Sequence, residues 1–546
     1  MAWTLDREFP TDLWAEHGFP ADFDVERAAS AVLPVLDARF GASRDMRMVE
    51  QFCREYLAGG NIFIYGAGTH TRALLPALRR VPGLNILGIV DRLAAGVSDF
   101  EGVEVILPEQ LRGKDYDYIL LSHGQYETEM SERLAALGIS GRKVVPIYTN
   151  DRFRQFSSAA LVKQVEALGT RKFANVIINC TKDSIVADAE LQSLLPPEET
   201  VKLFMGRLDA WQPDGLYESI DLHESLDALC AVLRVLKPRT VYVRSIIYKN
   251  FLSMVIKKRF PNIFIVHEVY DYAASWRDED LISLFGMNAQ TIFQTRMTEL
   301  YSGNHLDALI SKRGGIYWNC VSGRCAAPYE LYFPMIAGNP AAAPSRSDEV
   351  TRLAYCGFLP AASFLAQFKN GYNFLDLMEA LGRHGGFEID LFNAVHFGAE
   401  QDCLFENYQT RFETGAVHYH RRLPFGELVS RMRDYDFGWL CELVDFFQPD
   451  RYFGIGNRWT SNIMAGLPTL IDDSWKFMGD LTVEYDAGIV VSDVTLDGIL
   501  SSVERGRSKD FRSGVRRLHR HLKARNESAL DRIAELSARH RRAWEQ

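Results

Sequence analysis

Residues Asn61–Leu78, NIFIYGAGTHTRALLPAL, carry the clearest structural pattern in the chain. It reads as a short apolar strand, a turn with two glycines, and a helix whose apolar residues recur at helical spacing. LNILGIVDR (84–92) follows as a second strand, and YDYILLSHGQYETEMSERLAALG (116–138) repeats the sequence of strand, loop and helix. Strands that alternate with helices in this way predict a parallel, doubly wound sheet.

The same alternation recurs twice further along the chain. One unit begins with FANVIINC (173–180) and includes TVYVRSI (240–246) and NIFIVHEVYD (262–271). The other begins with RLAYCGFL (352–359), after the segment IAGNPAAAPSRSDE (336–349), whose Pro, Ala and Ser content predicts a linker. The sequence therefore predicts an α/β protein with three Rossmann-like units.

We place the domain limits where this pattern changes. A helical pattern over Val25–Phe40 precedes the first strand, and a basic helical pattern closes the chain. The predicted segments are a helical lead-in (1–50), a Rossmann-like N-terminal domain (51–150), two further α/β lobes (165–335 and 350–505) and a C-terminal helical tail (506–546).

Composition excludes several classes of protein. The chain has 546 residues, of which 47% are hydrophobic and 24% charged, which is typical of folded protein. A net charge of −10 argues against nucleic acid as a partner. The first residues, MAWTLDREFPTDLW, lack the basic and apolar regions of a secretory signal, and no C-x-x-C occurs among the eight cysteines. We therefore expect a cytoplasmic protein with reduced thiols.

The tail stands out by its charge. Thirteen Lys and Arg and five Asp and Glu lie between Arg505 and Gln546, a net charge of +8 within an acidic chain. A solvated helix face explains such a tail, and so does contact with an acidic partner or an anionic membrane. The second alternative predicts a peripheral location at the inner face of the membrane.

A first candidate site follows the strand at Asn61. Gly66 and Gly68 let the backbone approach a phosphate, and Thr69 opens a helix whose amides favour an anion. Asp91 ends the next strand, where a ribose hydroxyl would be bound. The third glycine of G-x-G-x-x-G is replaced by Thr71, so both a nucleotide site and a purely structural turn remain open. The region resembles small Rossmann-like domains encoded with bacterial surface-polysaccharide enzymes.

A second candidate site lies in the last α/β lobe. GIGNRWTSNIMAGLP (454–468) is a glycine-bearing loop that runs into a helix of about two turns, and Arg458 adds a bidentate phosphate donor. Earlier in this lobe, Gly357 at a strand end permits close approach of a ligand. Lys369 offers a point charge to a diphosphate.

The segment NRWTSNIMAGLPTLID (457–472), followed by YDAGIVV, resembles the donor-binding end of GT-B glycosyltransferases, especially the retaining family-4-like group. The order of elements over residues 170–505 supports the resemblance, which implies that the last two units form a GT-B pair of lobes. It also implies a nucleotide-sugar donor, linked to UDP, GDP or CMP, and a surface-glycan, lipid-linked or protein acceptor.

The resemblance implies roles for particular residues. Gly357 would lie beside the donor diphosphate, which Lys369 and Arg458 would neutralise, and Lys369 would thereby also be catalytic. His418 and Arg421 would lie near the base. His267 and Glu268, at a strand end of the first of these two lobes, would face the reacting sugar, where either could act as general base if the enzyme inverts. The remaining donor-binding positions are Asn457, Thr460, Ser461 and Asn462. The backbone amides of Thr460 to Asn462 would lie on the diphosphate.

The sequence also departs from that family. Two glutamates that many of its members carry, with seven residues between them, fall here on Phe453 and Ser461. Donor identity and stereochemical outcome therefore stay open, as does a non-catalytic scaffold that binds sugar nucleotides. No Asp-x-Asp suited to a metal diphosphate follows a strand, so we expect a metal-independent transferase that requires no cofactor. The other alternative, an NAD-dependent sugar-nucleotide oxidoreductase centred on the Gly66 turn, lacks a suitably placed Tyr-x-x-x-Lys pair.

Overall fold

The computed structural model describes the following parts of the chain: residues 13–92, 98–123, 126–168, 173–180, 190–206, 215–269, 272–312, 329–330, 350–357, 359, 374–394, 406–412, 415–442, 454–506 and 509–545. Contacts divide the chain into two compact units. One comprises Met1–Phe23, Asp183–Leu194 and Glu268–Gln546, and the other comprises Asp24–Lys182 and Leu195–His267.

The first sheet has six strands in the order β3-β4-β2-β1-β5-β6, parallel except where β3 pairs with β4. Its central strand is apolar and buried from its second residue onward, as the sequence predicts. Its strands are β1 (Asn61–Tyr65), β2 (Asn85–Val90), β3 (Asp99–Phe100), β4 (Val103–Ile106), β5 (Tyr118–Leu121) and β6 (Val144–Val145). The helices up to this point are α1 (Leu13–Glu16), α2 (Val25–Phe40), α3 (Met46–Tyr56), α4 (Thr69–Leu78) and α5 (Glu127–Ala136), and α6 (Asp151–Glu166) follows.

The second sheet has seven strands in the order β13-β12-β11-β10-β7-β8-β9. Its strands are β7 (Asn175–Asn179), β8 (Thr200–Phe204), β9 (Glu218–Asp221), β10 (Thr240–Ser245), β11 (Phe264–Val269), β12 (Ala308–Ser311) and β13 (Tyr329–Glu330). The helices of this part are α7 (Leu226–Leu236), α8 (Phe251–Arg259), α9 (Asp278–Phe285) and α10 (Ala289–His305).

The third sheet has six parallel strands in the order β16-β15-β14-β17-β18-β19. Its strands are β14 (Thr351–Gly357), β15 (Phe387–Asn393), β16 (Val417–His420), β17 (Phe437–Leu440), β18 (Thr469–Asp472) and β19 (Gly488–Val491). Its helices are α11 (Phe374–His384), α12 (Glu406–Arg411), α13 (Phe425–Met432), α14 (Asn457–Ala465), α15 (Lys476–Glu484) and α16 (Leu496–Gly506), and α17 (Phe511–Glu545) ends the described chain.

All three sheets are doubly wound, and the third has the strand order 3-2-1-4-5-6 of the Rossmann fold. The predicted α/β class with three Rossmann-like units is therefore confirmed. The sequence did not predict β8, whose centre is the buried Lys202, because a lysine interrupts the apolar pattern of a strand. It also did not predict α6, which begins after Asn150, the residue that caps it. The domain limits remain a prediction.

The C-terminal helix α17 buries one side along most of its length. Its buried side chains recur at helical spacing from Phe511 to Ile533, as in an amphipathic helix, and all of this series are apolar except His519 and Asn526. Arg512 donates to the carbonyl of Gly466 at the end of α14 (3.3 Å), and Asn526 donates to Glu190 (2.8 Å). The predicted helical tail is thus amphipathic, while its contact with a membrane remains a prediction. Among the described residues, no helix combines the length and the apolar character that crossing a bilayer requires.

Candidate functional site

The candidate site lies at the carboxyl edge of the third sheet. In a doubly wound sheet, ligands bind beyond the carboxyl ends of the strands, where connections leave the first and fourth strands in opposite directions. These two strands are β14, which ends at Gly357, and β17, which is followed by Cys441 and Glu442. The start of α14 and its Arg458 contact residues at this edge.

Helix α14 begins without a side-chain cap. Its N-cap residue is Gly456, which has no side chain to accept a hydrogen bond from the first amides. The carbonyl of Gly456 accepts from the Thr460 amide (3.2 Å), which closes the first turn. Helix start amides carry a partial positive charge and form an anion site when nothing else satisfies them.

The predicted role of the amides of Thr460, Ser461 and Asn462 needs a correction. Because the helix begins at Asn457, the Thr460 amide is already bonded within the helix, and the amides at the helix start belong to Asn457, Arg458 and Trp459. The hydroxyls of Thr460 and Ser461 both donate to the Asn457 carbonyl (2.9 and 2.8 Å). The Asn462 amide donates to Thr469 (3.3 Å). These three side chains are buried and serve the helix and the adjoining strand.

Arg458 points into the space that Gly357 leaves. A Cβ atom on Gly357 would lie 2.5 Å from Arg458 Cδ, so only glycine fits beside this side chain. The guanidinium forms an ion pair with Glu442 through Nη1 and lies 5.3 Å from the ring centroid of Tyr355. Burial opposes the charge, but the Glu442 carboxylate outweighs it and raises the pKa of Arg458 above its ordinary value.

A second cation reaches the same helix start from the second sheet. Lys312 directly follows β12, and its Nζ atom donates to Asn457 Oδ1 (3.2 Å). Its carbonyl accepts from the amide of Ile455 (3.0 Å), so backbone and side chain are both held against the loop that precedes α14. Lys312 is only 9% exposed.

Polar side chains after the neighbouring strands complete this edge. Asp472, the last residue of β18, accepts from the amide of Glu442 (2.8 Å) and from that of Ser474 (3.1 Å). Asn393, the last residue of β15, accepts from the amide of Leu359 (3.2 Å). These bonds hold the loops after three strands in place, so the arrangement around Arg458 is preorganised.

Two other predicted donor-binding residues lie at the edge strand of this sheet. His418 and Arg421 are exposed, on and just after β16, which is the edge strand of the sheet. The neighbouring His420 pairs with Asp390 on β15. Lys369 lies outside the described residues. In that described part, no group of three or more His, Cys, Asp or Glu side chains could hold a metal ion.

The predicted catalytic pair lies inside strand β11. The His267 side chain is fully buried, and burial lowers its pKa to about 3. Its Nε2 atom lies 2.8 Å from the Ser245 hydroxyl, which donates to Asn250 (2.5 Å). Glu268 is 1% exposed. A neutral, enclosed imidazole does not reach a dissolved acceptor as placed, so the predicted role of this pair as a base stays a prediction.

The predicted N-terminal nucleotide site is a tightly bonded turn. Gly66 adopts a positive φ of 115°, and Asp91 accepts a hydrogen bond from the amide of Ala67 (2.7 Å). The Asp91 carboxylate thus satisfies an amide of the turn that a phosphate would otherwise use. Gly68 and Thr69, at the start of α4, are exposed. A nucleotide at this turn remains a prediction.

The helix that follows this turn is tied into the first sheet by His70. Its Nδ1 atom lies 2.9 Å from the Ser122 hydroxyl, and its Nε2 atom lies 2.5 Å from the hydroxyl of Tyr148. Burial, and then the charge of Arg44, lower the pKa of His70 to about 4. The imidazole is therefore neutral and structural, and it joins the start of α4 to side chains that follow β5 and β6.

Sequence reasoning missed Lys312 and Glu442. Both follow an apolar strand by one or two residues, in ALIS-Lys312 and FGWL-Cys441-Glu442. That position, a charged residue just past the carboxyl end of a strand, is the signal that could have identified them.

Among families of known proteins, the match covers only an N-terminal part of the chain. A model of the family described as C2185-like, N-terminal, matches residues 59–145, which include the first sheet. A comparison of the sequence with curated proteins gives no significant match.

Several solved structures resemble part of the chain at low identity. HepE from Anabaena, in complex with UDP and glucose, has a TM-score of 0.45 at 10% identity, covering 66% of this chain and 98% of its own. The trehalose 6-phosphate synthase from Burkholderia multivorans has a TM-score of 0.43 at 10% identity, with coverage of 68% and 98%. The lipopolysaccharide outer core galactosyltransferase WaaB has a TM-score of 0.39 at 11% identity, with coverage of 64% and 95%.

Proposed function

We propose that this protein is a glycosyltransferase whose nucleotide-sugar donor binds at the carboxyl edge of the third sheet. The donor diphosphate would lie on the amides at the start of α14, beside Gly357 and Arg458. The proposal rests on the geometry of this edge and not on the low-similarity structures. One observation carries it: the partly buried guanidinium of Arg458 and a helix start with a glycine N-cap meet at the switch point of a doubly wound sheet.

The chemistry of glycosyl transfer explains why such a site is needed. The bond between the sugar and the nucleoside diphosphate breaks, and negative charge develops on the departing phosphate oxygen. Fixed donors aimed at that charge stabilise the transition state, and this electrostatic effect is usually the largest in an enzyme. Arg458 is held by Tyr355 and Glu442 before any ligand binds, so it costs little reorganisation.

The ion pair with Glu442 is compatible with phosphate binding. The pair is made through Nη1 of Arg458, and a guanidinium has five N–H donors. Arg458 can therefore hold a carboxylate and a phosphate together, and Glu442 fixes its orientation. Donor hydroxyls near Glu442 would find an acceptor in the same carboxylate.

The finer parts of the proposal follow the resemblance stated from the sequence. The acceptor would be a surface glycan, a lipid-linked glycan or a protein, and the donor UDP-, GDP- or CMP-linked. Two cations and the helix start would take the place of a metal ion. The protein would act in the cytoplasm, with peripheral contact at the membrane through the exposed basic residues of α17.

A second candidate is a scaffold that binds a sugar nucleotide without transferring the sugar. The observation in its favour is that Glu442 already offsets the charge of Arg458. Nucleotide binding without sugar release would identify it. The oxidoreductase alternative is not favoured, because Asp91 is engaged by the amide of Ala67 in the turn that would bind NAD.

A released-nucleotide assay tests the proposal. The protein is incubated with UDP-, GDP- and CMP-linked sugars and candidate acceptors, and free nucleotide is measured. We expect release from one donor class by the wild type and at least a hundredfold slower release by Arg458→Met. Release from no donor, together with binding of no nucleotide, would refute the proposal.

A further inference from the structure

We infer that Lys312 is a second phosphate-binding residue of the donor site, supplied by the second sheet. The inference rests on the proposed function and adds a residue to its site. Lys312 follows β12, outside the sheet that carries Arg458, yet its ammonium reaches the first residue of α14.

Two hydrogen bonds fix the position of Lys312. Its carbonyl accepts from the Ile455 amide (3.0 Å), one residue before the N-cap Gly456, and its Nζ atom donates to Asn457 Oδ1 (3.2 Å). The lysine therefore lies along the loop that leads into α14. An anion on the amides of this helix start would lie within reach of the ammonium.

The charges around Lys312 indicate that this residue binds an anion. A lysine that is 9% exposed has lost most of its hydration, which is costly for an ammonium. A helix start also disfavours a cation, because the helix dipole is positive there. Lys312, Arg458 and the amides of α14 thus bring positive charge to one place, with the carboxylate of Glu442 on Arg458.

The chemistry of the ligand follows from the two cations. Arg458 presents a planar fork that suits two oxygens of one phosphate, whereas Lys312 is a compact point charge. A ligand with two adjacent phosphates can meet both at once, and a monophosphate can meet only one of them fully. Lys312 would therefore select a nucleoside diphosphate over the corresponding monophosphate.

The test compares affinities for diphosphate and monophosphate by isothermal titration calorimetry. The probes are UDP with UMP and GDP with GMP, on the full chain. For Lys312→Met we expect at least a tenfold loss of affinity for the diphosphate that binds and a smaller loss for its monophosphate. Lys312→Arg should restore most of the diphosphate affinity. The matched control is Lys202→Met, which removes another buried lysine, in β8, and should leave both affinities unchanged.

A second variant covers the case in which Lys312→Met does not fold. Asn457→Asp places a carboxylate at the start of α14, where the helix dipole stabilises it. We expect the variant to keep its melting temperature and to bind the diphosphate at least tenfold more weakly, because the new charge occupies Lys312 and repels phosphate.

The outcomes separate the two claims. If the wild type binds neither diphosphate, the proposed function fails. If the wild type binds a diphosphate and both Lys312→Met and Asn457→Asp bind it equally well, the inference on Lys312 is wrong while the donor site stands.

Discussion

Two carboxyl edges of this chain carry a glycine turn before a helix. Both helices have a glycine N-cap without a side-chain cap, and the two edges differ in the charged groups that lie beside the turn. At the first sheet, Asp91 accepts from the amide of Ala67, and His70 is bonded on both nitrogens to side chains of the sheet. At the third sheet, α14 starts beside the cations Arg458 and Lys312.

A strand, a glycine turn and a helix therefore do not by themselves make an anion site. What matters is whether the chain supplies its own negative charge to the turn. At the first edge the carboxylate of Asp91 bonds the turn itself. At the third edge the carboxylate of Glu442 pairs with Arg458 instead, and the turn itself carries no carboxylate from this pair.

The largest effect is expected from Arg458→Met. The variant leaves the partly buried carboxylate of Glu442 without its cation, and breaking one side of such a pair costs about 3–5 kcal/mol of unfolding free energy. Urea denaturation measures this loss. Adding Glu442→Gln should recover at least half of the stability but not nucleotide binding. If the double variant recovers no stability, the ion pair with Glu442 is not the contribution of Arg458 to the unfolding free energy.

A methyl group at Gly357 should have the next largest effect. In Gly357→Ala the new Cβ would lie 2.5 Å from Arg458 Cδ and 2.8 Å from the Tyr355 hydroxyl, so the guanidinium must move. Overpacking of this kind costs about 1–3 kcal/mol, and we expect nucleotide affinity to fall as well. The control is Gly426→Ala in α13, where no atom lies within 4 Å of the added methyl. Equal behaviour of the two variants would contradict the close fit at Gly357.

The stability that the buried His70 gives the first edge should decrease at acidic pH. The pKa of His70 is about 4 in the fold, because of burial and then Arg44, and about 6.5 when unfolded. The unfolded chain therefore binds the proton first, so the stability is complete above pH 6.5 and falls as the pH drops toward 4. Between pH 7 and 5 we expect the wild type to lose about 2 kcal/mol more than His70→Gln. Parallel pH profiles of the two proteins would show that His70 is not held neutral.

The smallest effect is expected from Asp91→Ala. It removes an acceptor from the amide of Ala67, which costs about 1–2 kcal/mol, and Asp91→Asn should cost less because it keeps an acceptor oxygen. Thermal denaturation measures both. Nucleotide affinity should not change in either variant, and a loss of affinity in Asp91→Ala would move the ligand to the first edge.

Most of the fold could be read from the sequence because alternating apolar strands and amphipathic helices carry their own period. The strand β1, the helix α2 and the end of α14 at Gly466, which has a positive φ of 69°, all follow from local pattern. Strand β8 could not be predicted in this way, since the buried Lys202 at its centre interrupts the local apolar pattern.

The candidate site was only partly predictable, because side chains distant in sequence decide it. Gly357 and Arg458 are 101 positions apart, and the sequence suggests each singly but not that one makes room for the other. Lys312 comes from another sheet, so no pattern within the last lobe contains it. The burial of His267 likewise depends on packing and not on its position at the end of an apolar run.

The most direct test of the central claim is a calorimetric titration of three proteins, namely wild type, Arg458→Met and Asp91→Ala, with UDP and GDP. We predict one bound nucleotide per chain for the wild type and for Asp91→Ala with equal affinity, and at least tenfold weaker binding for Arg458→Met. Binding that survives in Arg458→Met and disappears in Asp91→Ala would contradict this prediction.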